Sequence, residues 1–228
     1  MRELPVVTKN LLAINVLMFL ALLAFEKLGI DLNNLLGLHL FLAPDFHPYQ
    51  LVTYMFMHGG FTHLFFNMFA LYMFGRVLEQ VWGSKRFLIY YLVTGIGAAL
   101  VQEVVQYIYF ATQLSFYSSV NIGGGVIVPM LQYLNMWTTV GASGSIYGIL
   151  LAFAMMFPNE RLFVIPFPFP IKAKYFVLIF GALELVTGLS PHVGDNVAHF
   201  AHLGGMLFGI ILILIWRKKN KIDGPYNF

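Results

Sequence analysis

Residues 197–221 read VAHFAHLGGMLFGIILILIWRKKNK. From Val197 to Trp216 the stretch is apolar apart from two histidines and a few small residues, and Arg217, Lys218, Lys219 and Lys221 follow. A helix that crosses a bilayer needs about 20 mostly apolar residues. Basic residues gather at its cytoplasmic end. The stretch therefore predicts a span over 197–216 that emerges into the cytoplasm. Five more apolar stretches precede it: Leu11–Phe25, Tyr54–Phe74, Phe87–Tyr107, Ser143–Phe157 and Tyr175–Leu189. Backbone groups in lipid must bond internally, so such stretches form helices. The expectation is an all-α membrane protein, a six-transmembrane-helix bundle in a single domain over residues 1–228.

Composition agrees. Of 228 residues, 59% are hydrophobic and only 10% charged, against roughly 25% charged in an average soluble domain. Mean hydropathy is +0.78. Too few charges remain to cover a soluble globule, and disorder and nucleic-acid binding are excluded with it. The absence of cysteine excludes thiol catalysis, disulfides and thiolate metal sites. The first span has the basic flank and apolar core of a signal peptide, but no A-x-A site follows, and it reads as an uncleaved first helix.

The six spans partition the charges. Arg2 and Lys9, then Arg76, Lys85 and Arg86, then Arg161, Lys172 and Lys174, then the four after Trp216, put twelve of thirteen basic residues on one face. Lys27 alone falls on the other. Both termini are expected in the cytoplasm. Two outside segments are long. Residues 28–53 are too apolar for a free loop and too broken for a span; residues 108–142 carry no charge. Both are expected to lie partly immersed. The absence of an internal repeat argues against an inverted-repeat transporter.

Polar residues inside spans are costly and mark function. His63 and Asn67 share a helix face at the start of span two, after His58. Ser143 and Tyr147 share one at the start of span four. His202, Gly205 and Gly209 form a stripe on span six, with His199 three residues earlier. Gly144 with Gly148, and Gly205 with Gly209, are G-x-x-x-G pairs that let backbones approach closely. A close crossing of spans four and six brings the Ser143 hydroxyl beside the His202 imidazole, the pairing a serine nucleophile needs. Spans two, four and six run in the same direction, so these groups share one depth. Glu79 with Arg76 reads as a structural pair. Glu184 in span five carries no assigned chemistry.

Together these motifs resemble the rhomboid intramembrane serine proteases, in their minimal six-helix bacterial form. The resemblance rests on His58-x4-His63-x3-Asn67, on Gly75-Arg76-x2-Glu79-x2-Trp82-Gly83-Ser84, on Gly141-Ala142-Ser143-Gly144 with Tyr147, and on Ala201-His202-x2-Gly205-x3-Gly209. It implies an endopeptidase of a bacterial inner membrane acting on single-span membrane proteins in the lipid bilayer, without cofactor or metal. By the same resemblance Ser143 is the nucleophile, His202 the general base and acid, and Tyr147 the group that stacks on His202. His63, Asn67 and the Ser143 N–H bind the oxyanion. The resemblance implies a dyad with no third carboxylate; Asp195 lies off the His202 face, and His199 is a secondary hydrogen-bonding residue. Residues 28–53 lack the Trp-Arg pair that some bacterial members carry there.

Three other readings compete. His58, His63, His199 and His202 could ligate zinc, but no H-E-x-x-H is present and no carboxylate is expected beside them. A non-catalytic relative that binds membrane clients would typically lack the Ser or His. A channel would rest on Glu184 alone. An aspartyl protease fails because the spans hold no Asp.

Overall fold

The computed structural model describes residues 3–163, 169–189 and 198–220. Each of the six apolar stretches forms helix over most of its described length. The first helix, α1 (Val6–Glu26), starts five residues before the expected Leu11. Span two differs more. Residues Tyr54–Phe56 make a single 3₁₀ turn that follows the short helix α3 (Gln50–Thr53), and the spanning helix begins only at α4 (Phe61–Ala70). Gly59 and Gly60 break the chain between them. The helix then continues through a widened π turn at Leu71–Gly75 into α5 (Arg76–Trp82), well past the expected end at Phe74. Next come α6 (Ser84–Tyr109), α8 (Ser143–Met156), α9 (Ala173–Leu189) and α10 (His199–Asn220). The expected start of the last span, Val197, lies outside the described residues, as do Asp195 and Lys221.

By length and apolarity four helical stretches could cross a membrane: Val6–Glu26, Phe61–Trp82, Ser84–Leu114 and His199–Lys218. The apolar α8 is shorter. The protein is a helical membrane bundle, and the six-span count is finer than this criterion delivers.

The interior explains why α8 can be both short and central. Gly144 lies against Ala98 of α6, and Gly148 against the Thr94 side chain. On the other side a side chain at Gly205 of α10 would run into the Gly144 carbonyl. Any side chain larger than hydrogen would separate these helices, which is how small residues hold membrane helices together. Gly209 faces the Tyr90 hydroxyl of α6 first, with Leu151 of α8 further off, so of the stripe Gly205 serves the crossing of spans four and six and Gly209 the α6–α10 contact. Hydroxyls bind the layers where carbonyls are exposed by glycine: Tyr90 donates to Gly148 O at 2.8 Å, Tyr54 to Gly95 O at 2.7 Å and Ser145 to Tyr91 O at 2.7 Å. Phe87, Tyr90, Tyr91, Leu71, Leu78, Met55 and Ile149 are completely buried around them.

At the other end of the bundle Glu79 does not pair with Arg76. Its carboxylate accepts from the Val7 and Thr8 N–H groups at 2.9 and 2.7 Å, the Thr8 hydroxyl at 2.7 Å and the Ser84 hydroxyl at 2.6 Å. The first N–H groups of a helix have no partner within it, and Glu79 supplies one to α1. Arg76 instead reaches the Tyr72 hydroxyl at 3.2 Å. Gly83, at φ +80°, turns the chain from α5 into α6 in one residue.

The two long segments 28–53 and 108–142 are fastened to each other. Within the first, α2 (Leu32–Leu36) is capped by Asp31. Then β1 (Leu38–His39) pairs antiparallel with β4 (Thr138–Thr139), which directly precedes the Ser143 helix. Buried Gln50 bonds His39 N, His47 N, Leu35 O and Asp45 O. Glu103 of α6 accepts from Phe41 N at 2.8 Å. In the second segment a hairpin of β2 (Ser119–Asn121) and β3 (Ile127–Pro129) leads into α7 (Met130–Asn135). Leu40 and Ala43 pack on Met130 and Leu134. A further short pair, β5 (Arg161–Leu162) with β6 (Ile171–Lys172), precedes α9.

Candidate active site

Gly141 comes first in the chain of causes. Its φ of +132° is in the region that favours glycine, and its N–H donates to Tyr54 O at 2.9 Å. A Cβ here would lie 2.8 Å from the His63 ring. Glycine thus both turns the chain into α8 and lets His63 approach the helix start. The first intrahelical bond is Ile146 N to Ala142 O, and no side chain caps the helix. The N–H groups at the start of that turn therefore have no partner within the helix, and the positive end of the helix dipole lies there.

Ser143 is the first residue of that helix. Its Oγ lies 2.8 Å from His202 Nε2 on α10. One turn on, the Tyr147 ring stacks on the His202 imidazole at 4.2 Å between centroids and 6° between planes. From α4, Asn67 and His63 complete the wall; Asn67 Nδ2 spends one of its two donors on His63 O at 2.9 Å. Ser143, Tyr147, His202, His63 and Asn67 all line one cavity of about 900 Å³. His58 is buried 5.0 Å behind the His63 ring, edge to face. Its two ring nitrogens have no partner among the described residues.

A rhomboid domain model matches residues 45–219. The chain belongs to the rhomboid family. It is 29% identical over 175 residues to YdcA of Bacillus subtilis (strain 168), provisionally named a rhomboid protease, covering 76% of this chain and 69% of that one. It is 31% identical over 169 residues to the rhomboid protease AarA of Providencia stuartii, covering 71% and 53%. It is also 29% identical over 208 residues to RHOMBOID-like protein 1 of Arabidopsis thaliana, covering 90% and 42%. The chain thus spans about half the length of most of these relatives.

One group in this rhomboid departs from the sequence reading. Glu184 of α9, to which no chemistry was assigned, sits against the histidines of α10. Its Oε2 lies 3.0 Å from His202 Nδ1 and 2.6 Å from His199 Nδ1, and its Oε1 accepts a short hydrogen bond from the Tyr147 hydroxyl. Thr187 Oγ1 stands 3.1 Å from His199 Nδ1. The expectations of no third carboxylate, and of no carboxylate beside the zinc-candidate histidines, are both overturned. A signal was present, since a lone acid inside an apolar stretch implies a partner. Spacing along one helix does not reveal a partner on another. Glu184, His199 and His202 are also the described residues whose ligand atoms cluster closely enough to hold a metal ion.

Proposed function

We propose that this rhomboid is an intramembrane serine endopeptidase with Ser143 as nucleophile and His202 as general base and acid. The observation that carries the reading is the 2.8 Å approach of Ser143 Oγ to His202 Nε2 at the wall of an open cavity. His202 takes the hydroxyl proton as Ser143 attacks the scissile carbonyl. It then returns that proton to the leaving amine, and water hydrolyses the acyl-enzyme through the same pair. His63, Asn67 and the Ser143 N–H supply donors for the oxyanion, aided by the helix N-terminus. Tyr147 holds the imidazole in plane. No cofactor takes part.

The setting supports a site within the membrane. Counting α8 and α9 with the four long stretches gives six spans, both termini cytoplasmic by the basic residues, in a bacterial inner membrane. The 14 residues of α8 rise about 21 Å at 1.5 Å each, short of a hydrocarbon core of about 30 Å. A helix that ends at the inner interface therefore starts below the outer one, where the cavity brings water to Ser143. The substrates are single-span membrane proteins. Peptide bonds in a helix are shielded by their own hydrogen bonds, so helix-breaking residues near the cut expose the carbonyl to attack.

The test is cleavage of a model single-span substrate by the detergent-purified protein. Ser143→Ala and His202→Ala each abolish it, and the double variant is no worse, because the pair acts as a unit. A fluorophosphonate labels Ser143 in the parent protein and fails in His202→Ala. Undiminished cleavage by Ser143→Ala would end the serine-protease reading.

A further inference from the structure

We infer that Glu184 is a positioning residue that extends the pair into a Ser143–His202–Glu184 arrangement, fixing the tautomer and orientation of His202. The inference rests on the serine-protease reading above.

The geometry gives Glu184 two holds on one imidazole. The first is direct. His202 Nδ1 is buried and has no hydrogen-bond partner among the described residues; Glu184 Oε2 stands 3.0 Å from it, at ion-pair distance. A neutral imidazole carries one proton, and which nitrogen holds it decides what the other can do. An anionic acceptor beside Nδ1 places the proton there and leaves the Nε2 lone pair for the Ser143 hydroxyl, 2.8 Å away. Without the carboxylate no other acceptor among the described residues holds the proton at Nδ1 against the reverse tautomer, in which Nε2–H points at Ser143 and cannot accept a proton. When His202 takes the serine proton, the carboxylate also faces the imidazolium that forms.

The second hold is indirect. Glu184 Oε1 accepts from the hydroxyl of Tyr147, the ring stacked on His202. One carboxylate therefore anchors both the imidazole and the surface it lies on. The carboxylate is itself held. His199 Nδ1 stands 2.6 Å from Oε2, with Thr187 3.1 Å from the same nitrogen. These contacts explain why a carboxylate is tolerated at a buried position of an apolar helix: buried charge persists where several donors surround it. A metal ion held by the same three residues is the competing occupant. Coordination through His202 Nδ1 would put the proton on Nε2 of a neutral ring, so the two roles exclude each other.

The test compares Glu184→Gln, Glu184→Ala and Glu184→Asp in the purified protein. Gln is nearly isosteric but can donate from its amide to Nδ1, which favours the unreactive tautomer. Glu184→Gln therefore loses about 10²-fold or more in kcat with KM little changed, the scale of a misplaced general base. Glu184→Ala is no worse than Gln, and Glu184→Asp recovers part of the rate. A merely structural role gives the opposite order, with Gln best tolerated. Should the Gln variant fail to fold, ¹⁵N spectra of histidine-labelled parent protein decide, with His202 protonated at Nδ1 as the expected result. Full activity of Glu184→Gln, an Nε2-protonated His202, or stoichiometric metal in the purified protein would each overturn the inference. Full activity of Glu184→Gln beside an inactive Ser143→Ala would leave the serine-protease reading standing.

Discussion

Asn67 shows what a single side chain contributes at this site. Its amide is buried at the cavity wall and gives one hydrogen to His63 O, so the group is held, and in the proposed function the second hydrogen serves the oxyanion. Asn67→Ala removes a donor aimed at transition-state charge and lowers turnover by about 10²–10³, with thermal stability in detergent little altered. Steady-state cleavage and a melting curve check the two halves, and unchanged turnover would remove Asn67 from the oxyanion site. Ser143, Tyr147, His202, His63 and Asn67 were legible as a set because polar residues are out of place in apolar spans and these share helix faces toward one end of their spans. Glu184 was equally out of place. Its partners lie on α8 and α10, 37 and 18 positions away in the numbering, and no periodicity within α9 points to them.

Among the elements, the contact that sets the site is that of α8 with α10. Gly205 has no room for a side chain because the Gly144 carbonyl occupies the place, and Gly144 is the residue next to Ser143. Gly205→Val must push α10 away from the start of α8 and carry His202, three residues earlier, with it. A displacement of about 1 Å costs on the order of 10²-fold in rate, and the lost packing lowers the melting temperature as well. Cleavage assays and thermal melts on the variant test this; parent-like values in both would mean that the helices are not held at this contact. Gly209→Val acts differently, striking Tyr90 of α6 and loosening the α6–α10 side first. The G-x-x-x-G spacing told which faces are small, and could not tell which neighbour each small residue meets. Helix limits were legible where a proline follows the apolar run, as at α8, which was expected over Ser143–Phe157 and covers Ser143–Met156; α10 instead runs through the charges after Trp216 to Asn220. They were misjudged at Tyr54, where an apolar run continues through a 3₁₀ turn and two glycines before α4 begins.

On the scale of the molecule, depth and direction matter more than any contact. The outside segments were legible only as unusual, because their pairing joins residues a hundred positions apart, His39 with Thr138. That pairing ties the segment after α1 to the strand that leads into Ser143, so the rim of the cavity is one folded unit. The proposed function requires α4, α8 and α10 to enter from the same side, with their starts at the outer face. The proposed six spans would put twelve basic residues on the opposite face, and the bias of Lys and Arg in short loops would then give that direction. A reporter fused after Phe228 is therefore expected to behave as cytoplasmic, and so is one placed before Met1. An odd number of crossings would separate the two reporters, and reversed orientation would place both outside. Either result would put the start of α8 at the wrong depth or on the wrong side for Ser143 to meet water from the outer face. The topology assay thus tests the even number of crossings and the access route to the site in one measurement, independently of whether Ser143 is the nucleophile.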